Sequence, residues 1–148
     1  MRIRRGTAAD IPVLMNLEKS VLTAAHWTVT QYESMFSSDG PSRLVLIIEE
    51  DAGMQGFVIA RVLSHDWEIE NIAVAGPAQR RGFGSFLLEQ LLDLAGSAGA
   101  DRIFLEVRES NLAARRLYEK QAFVQTGRRR LYYRAPDEDA IIYQIKFV

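Results

Sequence analysis

The sequence contains no cysteine and only two histidines, His26 and His65, among its 148 residues. Without cysteine the chain cannot form a disulfide, a zinc–thiolate centre or a cysteinyl covalent intermediate. Two histidines are too few for a histidine-rich metal site, so we expect no metal. No serine lies in a G-x-S-x-G elbow either, which removes the usual hydrolase signal.

Strong net charge and long apolar stretches are also missing. The formal net charge is −1, so we expect no direct nucleic-acid binding, which normally requires a basic excess. No apolar run approaches the roughly 20 residues that cross a bilayer, so we expect no membrane partner. Residues 1–6 are basic but no apolar stretch follows them, which argues against a signal peptide and for the cytoplasm. Residues 1–148 are expected to form one domain.

The distribution of apolar and turn residues predicts alternating strands and helices. Strands are predicted at residues 3–5, 43–49, 55–63, 67–74, 100–107, 123–133 and 140–147. Helices are predicted after Thr7 (with an apolar face running from Ile11 to Leu22), from Thr28 to the 39–41 turn, at 82–98 and at 111–120. Thr28 and Gln31 have the spacing of a capping box. This order predicts an α/β fold, in which a mixed sheet of about seven strands is flanked on both faces by about four helices.

The most informative stretch joins a strand to a helix through a glycine-rich turn. The sequence Asn-Ile-Ala-Val at 71–74 is followed by Gln-Arg-Arg-Gly-Phe-Gly at 79–84. Such a turn leaves backbone N–H groups unpaired at the positive end of a helix dipole, which suits a phosphate or pyrophosphate. A plain tight connection is the alternative. The run is not a dinucleotide fingerprint, because Leu87 replaces the third glycine, and no Gly-Lys-Ser/Thr follows as in a P-loop.

Together with Leu-Glu-Val-Arg-Glu-Ser-Asn at 105–111 and Leu-Tyr-Glu-Lys at 117–120, this stretch resembles the Gcn5-related N-acetyltransferases. Within that superfamily the chain is most similar to the bacterial group that acetylates the N-terminal alanine of a ribosomal protein. The resemblance implies the superfamily's single-domain α/β fold, with acetyl-CoA as co-substrate. It implies as partner a protein N-terminus, on a small-subunit ribosomal protein. Because cysteine is absent, direct attack by the acceptor in a ternary complex is the simplest route.

The same resemblance assigns the coenzyme A contacts. It implies that the pyrophosphate binds to the backbone of the turn, formed by Arg80, Arg81, Gly82, Phe83, Gly84 and Ser85. It also implies that the pantetheine arm binds along the strand residues Ile72, Ala73 and Val74, with which it pairs as an extra strand would. Asn111 is expected both to cap a helix and to hydrogen-bond the cofactor.

Two positions depart from the family pattern. Gly76 stands in the slot of the usual proline, and Pro77 follows it. Ala122 replaces the glycine that normally ends the helix after Tyr118. Glycine there permits a left-handed residue, so Ala122 costs roughly 1 kcal/mol in that conformation unless the helix ends differently.

Glu106 and Tyr118 are the candidate catalytic residues. From the residues alone, a structural ion pair with Arg108 or Arg81 is the favoured interpretation of Glu106, and a core tyrosine is the alternative interpretation of Tyr118. The resemblance makes Glu106 the general base and Tyr118 the acid that protonates the departing thiolate. An ordinary tyrosine pKa near 10 and a thiol pKa near 8.5 make that proton transfer feasible without strong tuning.

The sequence identifies the residues that bind the acceptor less specifically than those that bind the cofactor. Trp27, Tyr132, Tyr133 and Glu138 are candidate substrate-binding residues, with His26 where relatives have proline. A basic hairpin with aromatic packing explains the 128–134 tract equally well, and its mixture of arginine and tyrosine also occurs in single-stranded nucleic-acid binders.

Two other functions stay open. A lysine or small amine could be the acceptor if Glu68 or Glu70 were the base, although a solvated strand face is the favoured interpretation of both residues. An acyl-CoA sensor without catalysis is a further alternative, against which Glu106, Asn111 and Tyr118 argue.

Overall fold

The computed structural model describes residues 1–21, 27–37 and 42–147. Within them a seven-stranded sheet carries four α-helices, as the sequence predicts. The strands are β1 (Arg2–Arg5), β2 (Arg43–Glu50), β3 (Gly53–Leu63), β4 (Asp66–Val74), β5 (Arg102–Arg108), β6 (Val124–Tyr133) and β7 (Glu138–Lys146). The helices are α1 (Ile11–Lys19), α2 (Val29–Met35), α3 (Phe83–Ser97) and α4 (Leu112–Lys120). Leu22, His26 and the predicted helix end at 39–41 lie outside the described residues.

Local signals account for the helix starts. The Thr28 hydroxyl accepts the N–H of Gln31 while the Gln31 side chain accepts the N–H of Thr28, so the predicted capping box is confirmed. The side chain of Asn111 accepts the N–H of Ala114 and caps α4, as expected. No helix among the described residues is long and apolar enough to span a bilayer.

The strand order is β1-β2-β3-β4-β5-β7-β6, and every neighbouring pair is antiparallel except β4 and β5. These two strands pair only where Asp66, Trp67 and Glu68 meet Arg102, Ile103 and Phe104. The remainder of each strand continues without pairing to the other. A gap therefore opens in the middle of the sheet, at the carboxyl ends of its one parallel pair.

The two faces of the sheet carry separate cores. Leu87, Leu88 and Leu91 of α3 are fully buried against Ile103 and other residues of one face. On the opposite face Leu14 of α1 and Tyr32 of α2 pack against residues of β2 and β3. Each fully buried leucine contributes roughly 1.5–3 kcal/mol. The core under α3 includes residues from both sides of the gap, so this layer holds the two halves of the sheet together.

A β-bulge changes which face of the sheet β4 buries. Ile59 pairs with Asn71, but Ala60 pairs with Ile69, so Glu70 is an extra residue on β4. Ile69 consequently packs in the core under α3, whereas Ala73 packs in the core under α1. In an unbroken strand these two residues, four apart, would share a face.

Candidate active site

A cavity of about 790 Å³ lies in the gap between β4 and β5. It brings together eight of the residues predicted for the site: Trp27, Ile72, Glu106, Asn111, Tyr118, Tyr132, Tyr133 and Glu138. The other predicted residues, Ala73, Val74 and the turn at 80–85, do not line it. These eight residues come from five separate elements and the loop before α2, so the parting of the two strands is what assembles the site.

Beyond Glu68, β4 keeps its bonds to β3 but has no partner strand toward β5. Ile72, Ala73 and Val74 pair with Val58, Phe57 and Gly56 of β3. Their other edge faces the gap, where the only described parallel pairing ends at Glu68. An extended amide-bearing chain can pair with such an edge as an added strand does.

The turn before α3 has the backbone of an anion site. Arg80 and Gly82 both adopt left-handed conformations, with φ of 66° and 84°, and Gly82 is the N-cap of α3. The first N–H groups of the helix therefore have no acceptor within it. Gly84 packs closely against α4, because a Cβ there would lie 3.1 Å from Leu117 Cδ2. The residues present thus fit a bound pyrophosphate.

Two side chains of that turn, Arg81 and Phe83, are engaged within the protein. Both terminal nitrogens of Arg81 donate to the carboxylate of Glu50, at 3.0 and 3.1 Å. The Arg81 guanidinium also lies 4.8 Å from the centre of the Phe83 ring. Phe83 itself is buried in the core, so only its backbone is available.

Glu106 is ion-paired, but with neither arginine suggested by the sequence. Arg129 Nη1 donates to both carboxylate oxygens of Glu106, at 3.0 and 3.3 Å. Arg108 pairs with Glu138 instead, and Arg81 pairs with Glu50. The expected partners were wrong because β7 pairs with both β5 and β6, so Arg129 of β6 lies two strands from Glu106 and its long side chain reaches the carboxylate.

Tyr118 is 4% exposed and packs between Phe123 and Tyr143, with ring centres 5.7 and 6.3 Å away. Burial, with a smaller contribution from Tyr133, raises the pKa of Tyr118 well above its usual range. The expectation of an ordinary tyrosine pKa was therefore wrong. The hydroxyl stays protonated at neutral pH, but it is a weaker acid than the sequence suggested.

A bulge in β6 carries the paired tyrosines to the cavity. Between the pairs Arg129↔Ala140 and Tyr133↔Glu138, three residues of β6 oppose the single residue Asp139. Leu131 in this segment has a φ of 49°, and its N–H donates to Asp139 Oδ1 at 2.9 Å. The predicted strand is present, but this irregularity was not visible in the sequence.

The two tyrosines form an aromatic wall with their arginine neighbours. Their rings meet edge to face at 5.2 Å. The guanidinium of Arg129 lies 4.0 Å from the Tyr132 ring centre, and that of Arg108 lies 4.5 Å from the Tyr133 ring centre. Burial raises the pKa of Tyr133 to about 12. Tyr133 therefore remains neutral at physiological pH.

Glu138 is already compensated. It accepts the N–H of Ser110 at 2.5 Å and pairs with Arg108 at 3.2 Å. These interactions, with Ser110 the larger cause, hold the pKa of Glu138 below its usual value. Its charge is present at neutral pH but is shared, which weakens its attraction for a cationic substrate.

A buried carboxylate that sequence reasoning missed supports the opposite wall. Glu18 of α1 is 2% exposed; its Oε1 accepts the N–H of Trp27 at 2.8 Å and its Oε2 accepts the side-chain amide of Asn71. Trp27 in turn packs on Tyr32, with ring centres 5.6 Å apart. The available signal was a glutamate within the apolar stripe of α1, beside Leu17.

Glu68 and Glu70 also line the cavity, so the favoured interpretation of a solvated strand face was wrong. Glu68 pairs with Arg61 at 2.7 Å and Glu70 pairs with Arg43 at 2.6 Å. Burial raises the pKa of Glu68, with Arg61 opposing the shift. Among the described residues, no cluster of His, Cys, Asp or Glu is arranged to hold a metal ion.

Known proteins resemble this chain in both sequence and fold. The profile of the Acetyltransferase (GNAT) family matches residues 12–123. The [ribosomal protein bS18]-alanine N-acetyltransferase of Salmonella typhimurium is 36% identical over 138 residues, which cover 92% of this chain and 90% of that protein. The crystal structure of the ribosomal-protein-S18-alanine N-acetyltransferase from Escherichia coli superposes with a TM-score of 0.87 at 32% identity, covering 98% and 92% of the two chains. An acetyltransferase from Salmonella typhimurium solved with its cofactor acetyl-CoA shares the fold, with a TM-score of 0.81 at 21% identity and coverage of 98% and 92%.

Proposed function

The chain belongs to the GNAT family of acetyltransferases, and on that premise we propose that it acetylates the α-amine of a protein N-terminus. The enzyme class is an acetyl-CoA-dependent N-acetyltransferase. The acceptor we propose is the N-terminal alanine of ribosomal protein bS18, since that is the substrate named for the 36%-identical relative. Acetylation of a ribosomal protein would place the enzyme in the cytoplasm.

One observation carries the proposal most directly. Glu106 and Tyr118 both line the cavity that opens beside the part of β4 that has no strand partner toward β5. A base and an acid must both lie within reach of the reacting carbonyl. Their presence in one cavity, next to a strand edge that can hold an amide-bearing arm, is what direct acyl transfer needs.

We propose that coenzyme A is held by backbone groups. Ile72, Ala73 and Val74 would pair with the pantetheine arm, and the N–H groups from Arg80 to Ser85 would hold the pyrophosphate. Asn111 caps α4 through its oxygen, which leaves its side-chain N–H₂ group for the cofactor. Acetyl-CoA supplies the acetyl thioester.

The transfer we propose is direct, within a ternary complex. The acceptor nitrogen forms a bond to the acetyl carbon as the carbon–sulfur bond breaks. Glu106 takes the proton that leaves the nitrogen, and the Tyr118 hydroxyl gives its proton to the departing sulfur. The raised pKa of Tyr118 makes this proton transfer less favourable in the resting structure than an ordinary tyrosine would.

The ease of deprotonation favours an N-terminal amine as the acceptor. An α-amine with a pKa near 8 is roughly a tenth free base at pH 7, whereas a lysine amine near 10.4 is below about 0.1%. A single carboxylate is therefore a sufficient base for an N-terminus. Trp27, Tyr132, Tyr133 and Glu138 would form the walls against which the first residues of the peptide lie.

The experiment is thiol release from acetyl-CoA with matched peptides. One peptide has a free N-terminal alanine, a second is the same peptide blocked at its N-terminus and carrying an internal lysine, and polyamines and aminoglycosides complete the panel. Turnover confined to the free N-terminus supports the proposal. Turnover on the blocked lysine peptide or on the small amines would contradict it.

A lysine or small-amine acceptor is the second candidate, favoured by the position of Glu68. This carboxylate lies in the same cavity, and burial raises its pKa, which improves it as a base near neutral pH. Glu68→Gln separates the two candidates. Loss of most of the turnover in that variant, with Glu106→Gln still active, would favour the second.

We propose no direct nucleic-acid contact, because arginines of the 128–134 tract are engaged by carboxylates. Arg128 pairs with both Glu109 and Asp139, and Arg129 pairs with Glu106. A basic surface that binds phosphates needs these charges free. Retention of the protein on single-stranded RNA at 150 mM salt would contradict this part of the proposal.

A further inference from the structure

Four carboxylates line the cavity, and each one has an arginine partner. The pairs are Glu68–Arg61, Glu70–Arg43, Glu138–Arg108 and Glu106–Arg129. A cationic acceptor that enters this cavity therefore meets carboxylates that are already compensated. Which of the four receives the amine depends on which arginine is easiest to displace.

The arginine on Glu106 is the least firmly held. Its side chain is 51% exposed, against 33% for Arg61, 32% for Arg108 and 13% for Arg43. Arg108 also donates to two backbone carbonyl oxygens, those of Pro136 and Arg134, each at 2.9 Å. The contacts of Arg129 among the described residues are Glu106 and the Tyr132 ring.

Arg129 also has a second favourable contact, with the ring of Tyr132. It lies on the edge strand β6, next to the bulge that carries Tyr132, and its guanidinium is 4.0 Å from the centre of that ring. A guanidinium on an aromatic face keeps a favourable contact after it leaves a carboxylate. Movement away from Glu106 therefore does not leave the charge unsupported.

We infer that Arg129 is an exchangeable counter-ion of Glu106, which the ammonium group of the acceptor displaces on binding. The inference rests on the proposed function, since it assumes an acceptor amine that arrives mostly protonated. Glu106 meets solvent with its charge balanced, and only a ligand that brings a positive charge can replace Arg129 without leaving the carboxylate uncompensated. Arg129 is thus a specificity-determining residue: it competes with the acceptor ammonium group for Glu106, and so sets how strongly the cavity prefers cationic amines over neutral ligands.

The test compares a cationic and a neutral form of one peptide by calorimetry on protein saturated with coenzyme A. The peptide begins with alanine and is used either with a free N-terminus or acetylated. Arg129→Gln removes the counter-ion, and Arg130→Gln is the control that removes a neighbouring positive charge from the same strand. Arg129→Ala carries the same expectation as Arg129→Gln, so the test does not depend on one variant folding.

We expect Arg129→Gln to bind the free-amine peptide three- to tenfold more tightly than Arg130→Gln does. The affinities of the two variants for the acetylated peptide should lie within twofold of each other. In turnover assays the KM for the free-amine peptide should fall by the same factor, with kcat within about threefold of the unsubstituted enzyme. A tenfold fall in kcat at unchanged affinity would show instead that Arg129 positions Glu106. Equal tightening of both peptides, or an equal effect in Arg130→Gln, would also overturn the inference.

These outcomes are distinct from failure of the proposed function. If the unsubstituted enzyme does not turn over the free-amine peptide, the proposed function fails. If the enzyme does turn it over and Arg129→Gln behaves like Arg130→Gln, only the counter-ion inference fails.

Discussion

The backbone N–H of Phe123 donates to the carbonyl oxygen of Tyr118 at 3.0 Å, and this bond closes the end of α4. Together with the bond from Ala122 N–H to the Glu119 carbonyl at 3.1 Å, it forms a Schellman ending. Ala122 is the residue that must turn left-handed there, with a φ of 71°. Of the two outcomes that the sequence allowed, Ala122 adopts the strained left-handed conformation.

Ala122→Gly should therefore stabilise the protein. Glycine adopts this φ without a Cβ clash, and we expect a gain of about 1 kcal/mol in the free energy of unfolding. Urea unfolding at pH 7 measures it. Ala113→Gly, at an exposed helical position of the same helix, is the control and should give no gain. If both substitutions destabilise, the strain at Ala122 is not what limits this turn.

Glu106→Gln and Tyr118→Phe should each abolish most turnover while acetyl-CoA still binds. Removal of a general base or acid costs on the order of 10²–10⁴ in rate. The measurement is kcat beside the Kd for acetyl-CoA, with circular dichroism to confirm folding. Near-normal turnover in both variants would remove these residues from the proposed mechanism and reopen the interpretation as a sensor.

Gly84→Ala should weaken acetyl-CoA binding. The new Cβ would lie 3.1 Å from Leu117 Cδ2, so the Leu117 side chain must give by a few tenths of an ångström, which disturbs the packing of α4 against the start of α3. We expect the KM for acetyl-CoA to rise several-fold. Gly76→Ala is a matched control, because it follows the same strand, has nothing within 4 Å of the new Cβ, and should change little. Equal effects at both glycines would contradict the packing argument.

Glu18→Ala should impair both stability and acceptor binding. It leaves the half-buried N–H of Trp27 and the buried amide of Asn71 without their carboxylate partner, which costs roughly 1–3 kcal/mol. Because Trp27 lines the cavity, the KM for the peptide should rise more than the KM for acetyl-CoA. Glu33→Ala, at an exposed position of α2, is the control. A loss of stability without any change in the peptide KM would limit Glu18 to a structural role.

Acid should destabilise the N-terminal region through Asp10. Arg4 holds the pKa of Asp10 at about 2, below its ordinary value of 3.8, so the folded state binds this proton less readily than the unfolded state. The resulting stability is present above pH 4 and is lost as the pH falls toward 2. Allowing for solvent screening, we expect about 1–2 kcal/mol.

The variant Asp10→Asn tests this. At pH 7 its free energy of unfolding should be about 1–2 kcal/mol lower than that of the unsubstituted protein. Between pH 4 and pH 2 it should lose less further stability than the unsubstituted protein, as measured by urea unfolding at each pH. Asp51→Asn, in an exposed turn, is the control. If Asp10→Asn and the unsubstituted protein lose stability in parallel below pH 4, the Arg4–Asp10 pair does not carry the effect.

Features that depend on neighbours in the chain follow from the sequence alone. The capping box of Thr28 and Gln31 and the cap at Asn111 involve residues three apart, so composition and spacing suffice. The order of strands and helices follows from apolar periodicity in the same way. The family resemblance then located the catalytic and cofactor candidates, and the fold brings eight of the predicted site residues to one cavity.

Tertiary structure alone decided the features that depend on residues distant in sequence. The partner of Glu106 lies 23 residues away on β6 and is set by the order of strands, which no local pattern encodes. Burial among three elements raises the pKa of Tyr118, and the bulge at Glu70 turns β4 over. The chain itself determines its elements and their chemistry, because propensity and capping act over a few residues. Packing determines charge partners, desolvation and the gap between β4 and β5, because those depend on which surfaces meet.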